Sequence, residues 1–318
     1  MKALASLVFS AGLVACASVE PAEPAAAAEP ISIVEPAGEA EAPAEATPIV
    51  IGTSHVIHSA VYGMDRVINV QEPAPYGDSE TPPNVLYVID GGLDQDFEHI
   101  AGLGQLASLS WTMEPMLVVG IETVDRQNEL TAPAANPHYK EEFPTAGESE
   151  KFRRFIETEV MPFVEAHYRT GGRTGVIGES LAGLFIAETF LRQPDLFDDY
   201  ISISPSLWWD DRALARAAPG LLAAQVPSGR RIYLTMANEG GTMQAGMDEL
   251  INALVDYAPE GLTWTWLNRA ATARHDTIYH EAALDALRWL YATPPHESGA
   301  MPWYMVEGGV PKPAGVGE

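Results

Sequence analysis

Along residues 50 to 292 two hydrophobic rhythms alternate. Asn84 to Ile89 and Met116 to Ile121 are continuous apolar runs, and Gly175 to Ile177, Tyr200 to Ile203, Arg231 to Met236 and Thr263 to Leu267 are further strand-like runs. A run without polar alternation predicts a strand buried on both faces, as in a parallel sheet. Ahead of most of them, His55 to Tyr62 and Arg66 to Gln71 are rich in β-branched residues and are joined by Gly63-Met64-Asp65, which predicts an antiparallel hairpin. The second rhythm has a period of 3.6 residues. Glu150 to Tyr168 places Phe152, Phe155, Ile156, Val160, Phe163 and Val164 on one stripe, and Ser180 to Leu191, Met243 to Tyr257 and His280 to Tyr291 behave similarly; each predicts an amphipathic helix. Strands alternating with helices predict an α/β domain with a mostly parallel eight-stranded sheet and helices on both faces. In such sheets the functional groups gather at the carboxyl ends of the strands.

Both ends of the chain break this pattern. Met1-Lys2 supplies a positive charge, and Ala3 to Val14 is an apolar run too short to span a bilayer. It closes on Leu13-Val14-Ala15-Cys16, which resembles a bacterial lipobox. Residues 1–16 thus read as a lipoprotein signal peptide, with Cys16 lipidated as the new N-terminus. Cys16 is the only cysteine, so no internal disulfide competes for it. An ordinary secretory signal cut after Ala15 or Ala17 is the alternative, and either exports the chain. Residues 17–47 are almost all Ala, Glu and Pro, with seven glutamates and no basic residue. Such a stretch cannot bury enough apolar surface to offset its ordering entropy, so it reads as a disordered tether. The domain proper is assigned to residues 48–296, followed by a Gly/Pro-rich tail at 297–318. The formal net charge of −26, with no evident basic patch, argues against nucleic acid and against electrostatic docking on anionic lipid. The expected membrane contact is the N-terminal lipid alone, facing the periplasm or the cell surface.

Candidate chemistry centres on Gly178-Glu179-Ser180-Leu181-Ala182-Gly183. A strand, a sharp turn and a helix with serine at the apex predict a nucleophile elbow, which lifts the hydroxyl above the sheet at a helix N-terminus. The consensus is Gly-x-Ser-x-Gly; here Ala182 holds the last position. A serine at its ordinary pKa needs an adjacent base. Chain order in this fold is serine, acid, histidine, and only His275, His280 and His296 follow Ser180. His275 lies in a polar loop between the last strand and the last helix, where the base belongs. Glu239, in the loop after Arg231 to Met236, is the candidate acid; Asp248 is the fallback, and a Ser-His dyad without an acid is the other option. An oxyanion hole needs two backbone N–H groups. Leu181, directly after the serine, supplies one. Gly92, in the loop Asp90-Gly91-Gly92, is the candidate for the other, because glycine lets backbone approach a ligand closely.

Several segments together resemble the esterase family of α/β-hydrolases related to enterochelin esterase and S-formylglutathione hydrolase, more distantly the mycolyltransferases. They are Tyr87-Val88-Ile89-Asp90-Gly91, Val118-Val119-Gly120-Ile121 with Asp125-Arg126 and Leu130-Thr131-Ala132-Pro133, Phe152-Arg153-Arg154-Phe155-Ile156 with Met161-Pro162-Phe163-Val164-Glu165 and Tyr168-Arg169, the elbow, and Ser204-Pro205-Ser206-Leu207-Trp208-Trp209. The resemblance implies the α/β-hydrolase fold and hydrolysis of a small-molecule ester through an acyl-enzyme, with no metal or organic cofactor. It maps nucleophile, base and oxyanion loop onto Ser180, His275 and Asp90-Gly91-Gly92. Alanine at 182 stands where relatives usually carry glycine. Trp208 and Trp209 follow the sixth strand and are candidates to wall a pocket for an aromatic or sugar-bearing ester, with core packing the alternative for one of them. Arg126 is a candidate contact for an acyl or carboxylate group, or a salt bridge holding its own loop. The competing readings are a noncatalytic binding lipoprotein on a hydrolase fold, and an acyltransferase.

Overall fold

The structure, a computed structural model, describes residues 47–73 and 82–294. The signal peptide with Cys16, all but the last residue of the tether, His296 and the tail 297–318 lie outside the described residues. Eight strands form one sheet: β1 (Thr53–Ser59), β2 (Met64–Gln71), β3 (Asn84–Ile89), β4 (Met116–Ile121), β5 (Thr174–Glu179), β6 (Asp199–Ile203), β7 (Arg231–Met236) and β8 (Thr263–Asn268). Their spatial order is β1-β2-β4-β3-β5-β6-β7-β8. β1 pairs antiparallel with β2, and β2 antiparallel with β4; every other pairing is parallel. This is the α/β-hydrolase sheet; β3, β4 and β6 are buried at every position, whereas β8, at the sheet edge, is exposed or half-buried throughout. The core accordingly divides into two apolar clusters. One gathers Phe152, Phe155, Phe185 and Trp209; the other gathers Phe97, Ile177, Tyr279 and Leu287.

Helices α1 (Phe97–Ser110) and α7 (Trp209–Ala223) were not evident from periodicity. α1 carries Gly104, where an added Cβ would come within 3.3 Å of the Met116 and Val118 side chains, so the helix gives up propensity for close approach to β4. α7 contains Pro219 and opens with Asp210, Asp211 and Arg212 at φ 45°, 54° and 65°. The single helix expected over Glu150 to Tyr168 is α4 (Ser149–Phe155), a π-turn over Ile156–Val160, and α5 (Met161–His167). Pro162 has no N–H to give to the preceding turn, and the Met161 N–H reaches back five residues to the Ile156 carbonyl instead.

One buried ion pair positions the chain between β4 and the short helix α2 (Arg126–Leu130). Arg66 on β2 is 1% exposed. It donates from Nη1 to Glu129 Oε1 at 2.7 Å and from Nη2 to Glu129 Oε2 at 3.1 Å and the Glu122 carbonyl at 2.8 Å. Burial pushes the Glu129 carboxyl up despite the opposing pull of Arg66. Glu129→Leu leaves the guanidinium buried without a counter-charge, and should lower unfolding stability by about 3–5 kcal/mol, read from urea denaturation.

Candidate active site

The candidate nucleophile, base and acid stand on the connections that leave the carboxyl ends of β5, β8 and β7. At the end of β5 the chain turns sharply, with Ser180 at φ 61°, ψ −116° before α6 (Leu181–Arg192) begins. Left-handed φ at a non-glycine residue is strained and persists only when neighbours fix it. Here the Ser180 N–H donates to the Ile203 carbonyl at 3.0 Å, and the Ser180 carbonyl accepts from the Ser206 N–H at 3.0 Å. The turn requires small neighbours. A Cβ on Gly178 would lie 2.6 Å from the Ala182 Cβ, and one on Gly183 would lie 2.7 Å from the Ile203 carbonyl oxygen. Ala182 is itself fully buried.

The structure brings the three residues singled out for catalysis into one chain of hydrogen bonds. Ser180 Oγ lies 3.0 Å from His275 Nε2, and His275 Nδ1 lies 2.8 Å from Glu239 Oε1. His275 comes from the loop between β8 and α9 (Ile278–Tyr291). Glu239 comes from the loop between β7 and α8 (Gly241–Tyr257). Burial would raise the Glu239 carboxyl, but its hydrogen bond with His275 holds it below the usual range. The same hydrogen bond raises the His275 pKa against the opposing effect of burial, and the charge of Glu179 adds to the rise.

A profile of the family described as Putative esterase matches residues 59–281. The chain belongs to this family. It is 37% identical over 109 residues to the ferri-bacillibactin esterase of Bacillus subtilis, an alignment covering 30% of this chain and 38% of that protein. It is 27% identical over 173 residues to the siderophore triacetylfusarinine C esterase of Aspergillus fumigatus, covering 49% of this chain and 56% of that one. The chain therefore aligns with less than two thirds of the length of either relative. Among solved structures, an IroE-like serine hydrolase from Shewanella oneidensis superposes with TM-score 0.66 at 24% identity, over 76% of this chain and 80% of the other. The siderophore hydrolase EstA of Aspergillus nidulans gives 0.64 at 20% identity, over 79% and 97%. These likenesses show the α/β-hydrolase fold.

Around the serine of this esterase-family chain, one expectation, the Trp209 wall, needs correction, and one, the Gly92 amide, is met with its N–H already engaged. The Gly92 N–H is not open: it donates to Gln95 Oε1 at 2.9 Å. Gln95 is aimed there because its NH2 group donates to the Thr123 carbonyl and hydroxyl, both at 3.1 Å. Leu181 is the first residue of α6 and by position has no intrahelical acceptor for its N–H. Trp209 is core and not an open wall. It is 5% exposed, its indole N–H donates to the Ala132 carbonyl at 2.9 Å, and it borders a cleft shared with Leu184 and Leu214. Trp208 is half-buried, with Tyr139 stacked on it at 6.0 Å between ring centroids. The left-handed residues 210–212 follow directly. They are held by the Asp210 carboxylate, which accepts the N–H groups of Ala135 and Asn136, both at 2.9 Å.

Arg126 holds its surroundings together. Its Nε donates to Asp90 Oδ2 at 2.6 Å, and its Nη2 donates to the Glu179 carbonyl at 3.3 Å. The guanidinium thus ties the loop after β3 to the elbow after β5. Asp248 is exposed on α8 and pairs with Gln244, away from His275. His280 is exposed on α9, with its ring against that of His99. Among the described residues no cluster of three or more His, Cys, Asp or Glu is arranged to hold a metal ion.

Sequence reasoning passed over three side chains beside the nucleophile. Ser206 places its Oγ 3.3 Å from Ser180 Oγ; its position just after β6 was the available signal. Glu179 and Asp96 form an acidic pair beneath the elbow. Burial raises the Glu179 carboxyl to about 7, opposed by the nearby His275 and reinforced by Asp96. Burial and the neighbouring Asp90 raise Asp96 to about 6. The signal for Glu179 was its place inside the elbow motif itself.

Proposed function

We propose that this protein is a serine esterase that cleaves carboxylic esters through an acyl-enzyme. The hydrogen-bonded chain Ser180–His275–Glu239 carries the reading. His275 Nε2 takes the Ser180 proton as Oγ attacks the ester carbonyl carbon. It then returns that proton to the leaving alkoxide as the C–O bond breaks. A water, deprotonated by the same nitrogen, attacks the acyl-serine; the acyl–Oγ bond then breaks, the acid leaves, and Nε2 returns its proton to Ser180 Oγ. Glu239 holds the proton on Nδ1 and stabilises the imidazolium formed in each half-reaction. The Leu181 N–H receives the carbonyl oxygen as it gains charge, at the positive end of α6. The Gly92 N–H is the second donor, and exchanges Gln95 Oε1 for the oxyanion as the substrate seats. Ser206 donates to Ser180 Oγ in the resting enzyme. Trp208 and Tyr139 offer one aromatic wall, and Arg126 serves as a brace for the oxyanion loop.

The proposed substrates are siderophore esters, the class named for both curated relatives. We place the enzyme outside the cytoplasm, held to a membrane by a lipid on Cys16. The test for the substrate is incubation of the purified protein with ferric and iron-free trilactone siderophores, with products followed by mass spectrometry. Ring opening at a rate well above that for p-nitrophenyl butyrate supports the class; cleavage of the nitrophenyl ester alone removes it. For the anchor, Cys16→Ala should move the protein from the membrane to the soluble fraction of cells, and an unchanged distribution would exclude lipidation there.

A further inference from the structure

Glu179 is the residue the proposed mechanism leaves without a task. It closes β5 and immediately precedes the nucleophile. Its Oε1 is shut off from solvent and has no hydrogen-bond partner. Buried carboxylates are normally paired, because an unmatched charge is costly to desolvate. The groups around it explain why none pairs with it. Arg126, on α2, spends its Nε on Asp90 and touches Glu179 only at the backbone carbonyl. Asp96, ahead of α1, and Glu239, after β7, carry the wrong sign. Tyr279, on α9, is a neighbour, but its hydroxyl has no hydrogen-bond partner either. The remaining neighbour is the His275 ring, reached from the loop after β8.

We propose that Glu179 is a positioning residue whose counter-charge is the His275 imidazolium, so that it acts mainly once the Ser180 proton has been transferred. Above the His275 pKa the resting imidazole is neutral, and the one cation acting on the carboxylate is Arg126, already bonded to Asp90. In the transition state the imidazolium appears beside it, and the two charges attract in a site of low dielectric. An interaction that strengthens only along the reaction coordinate raises kcat and leaves KM nearly unchanged. Glu239 holds the far nitrogen through a hydrogen bond, whereas Glu179 contributes charge alone. This rests on the esterase reading for the serine and histidine roles, but the charge relation between Glu179 and His275 is testable without any substrate.

The experiment compares the full chain with Glu179→Gln and Glu179→Asp. In Glu179→Gln the negative charge is gone, the imidazolium is less stable, and the His275 pKa falls. NMR titration of the imidazole without substrate should show a fall of about one unit, typical for loss of one nearby opposite charge. In p-nitrophenyl butyrate hydrolysis, kcat should fall about ten-fold near pH 8.5, the equivalent of that one unit, with KM changed less than about two-fold. In acid Glu179 is itself protonated, so the parent's advantage should shrink toward unity by about pH 5. Glu179→Asp keeps the charge and should retain most of the pH dependence. An unchanged His275 titration in Glu179→Gln overturns the proposal. So does a rate loss of equal size at every pH, which marks a packing role. A parent that titrates as expected but cleaves no ester leaves the charge pair standing and removes the esterase reading.

Discussion

Ser180→Ala is expected to lower kcat for p-nitrophenyl butyrate by about 10⁴-fold or more, and His275→Ala by a similar factor. The two residues act on the same proton, 3.0 Å apart, so removing either disables the same step. A serine hydroxyl without a base is protonated at neutral pH and weakly nucleophilic. A histidine without the serine can only activate water, with no covalent intermediate. The losses should therefore not add: the double variant should be about as slow as either single one. Residual activity should survive, because the Leu181 amide and the Trp208 wall still bind and polarise the ester. A fluorophosphonate probe should label the parent at Ser180 and leave Ser180→Ala unlabelled. If Ser180→Ala kept more than about a tenth of the parent rate, or if the probe settled on Ser206 instead, the mechanism would be wrong at its first step.

Glu239→Gln should cost about 10³- to 10⁴-fold in kcat, with KM little altered. The carboxylate accepts the Nδ1 proton at 2.8 Å, which leaves Nε2 with the lone pair that faces Ser180. An amide of the same size can turn its NH2 group toward Nδ1. The histidine then carries its proton on Nε2, where it cannot accept from serine. The substitution also removes the charge that matches the imidazolium. Asp248→Asn, on the exposed face of α8, should leave kcat within about two-fold of the parent. A large loss at Asp248 with none at Glu239 would reassign the acid. Equal indifference at both would mean that the site works as a Ser-His dyad.

The parallel strands were readable because β3, β4 and β6 are buried on both faces, and burial on both faces leaves a continuous apolar run. Ser180, His275 and Glu239 were readable because chain order and strand ends fix where they stand; no side-chain detail was needed. Where a residue's state depends on a partner far along the chain, the sequence was silent. The Gly92 amide is claimed by Gln95, but only because Thr123 on a neighbouring loop orients that carboxamide. Trp209 turns inward onto the Ala132 carbonyl, a partner 77 residues away that its local sequence does not reveal. α1 was hidden by Gly102 and Gly104, and the latter serves packing against β4. Glu179 was visible in the motif, but its meaning depends on Arg126 being committed to Asp90.

The fit of Ala182 against Gly178 has an evolutionary consequence. With 2.6 Å between the Ala182 methyl and a methyl imagined on Gly178, the elbow has room for one such carbon at this contact and not for two. The two positions are therefore epistatic. Glycine at 182 would relieve only the nearest of these contacts, because a methyl at 178 would still lie 3.2 Å from Ile186 Cδ1 and 3.3 Å from the backbone carbon of residue 182. A pattern that demands glycine at 182 position by position will discard functional elbows, whereas one that scores the pair for its combined volume will keep them.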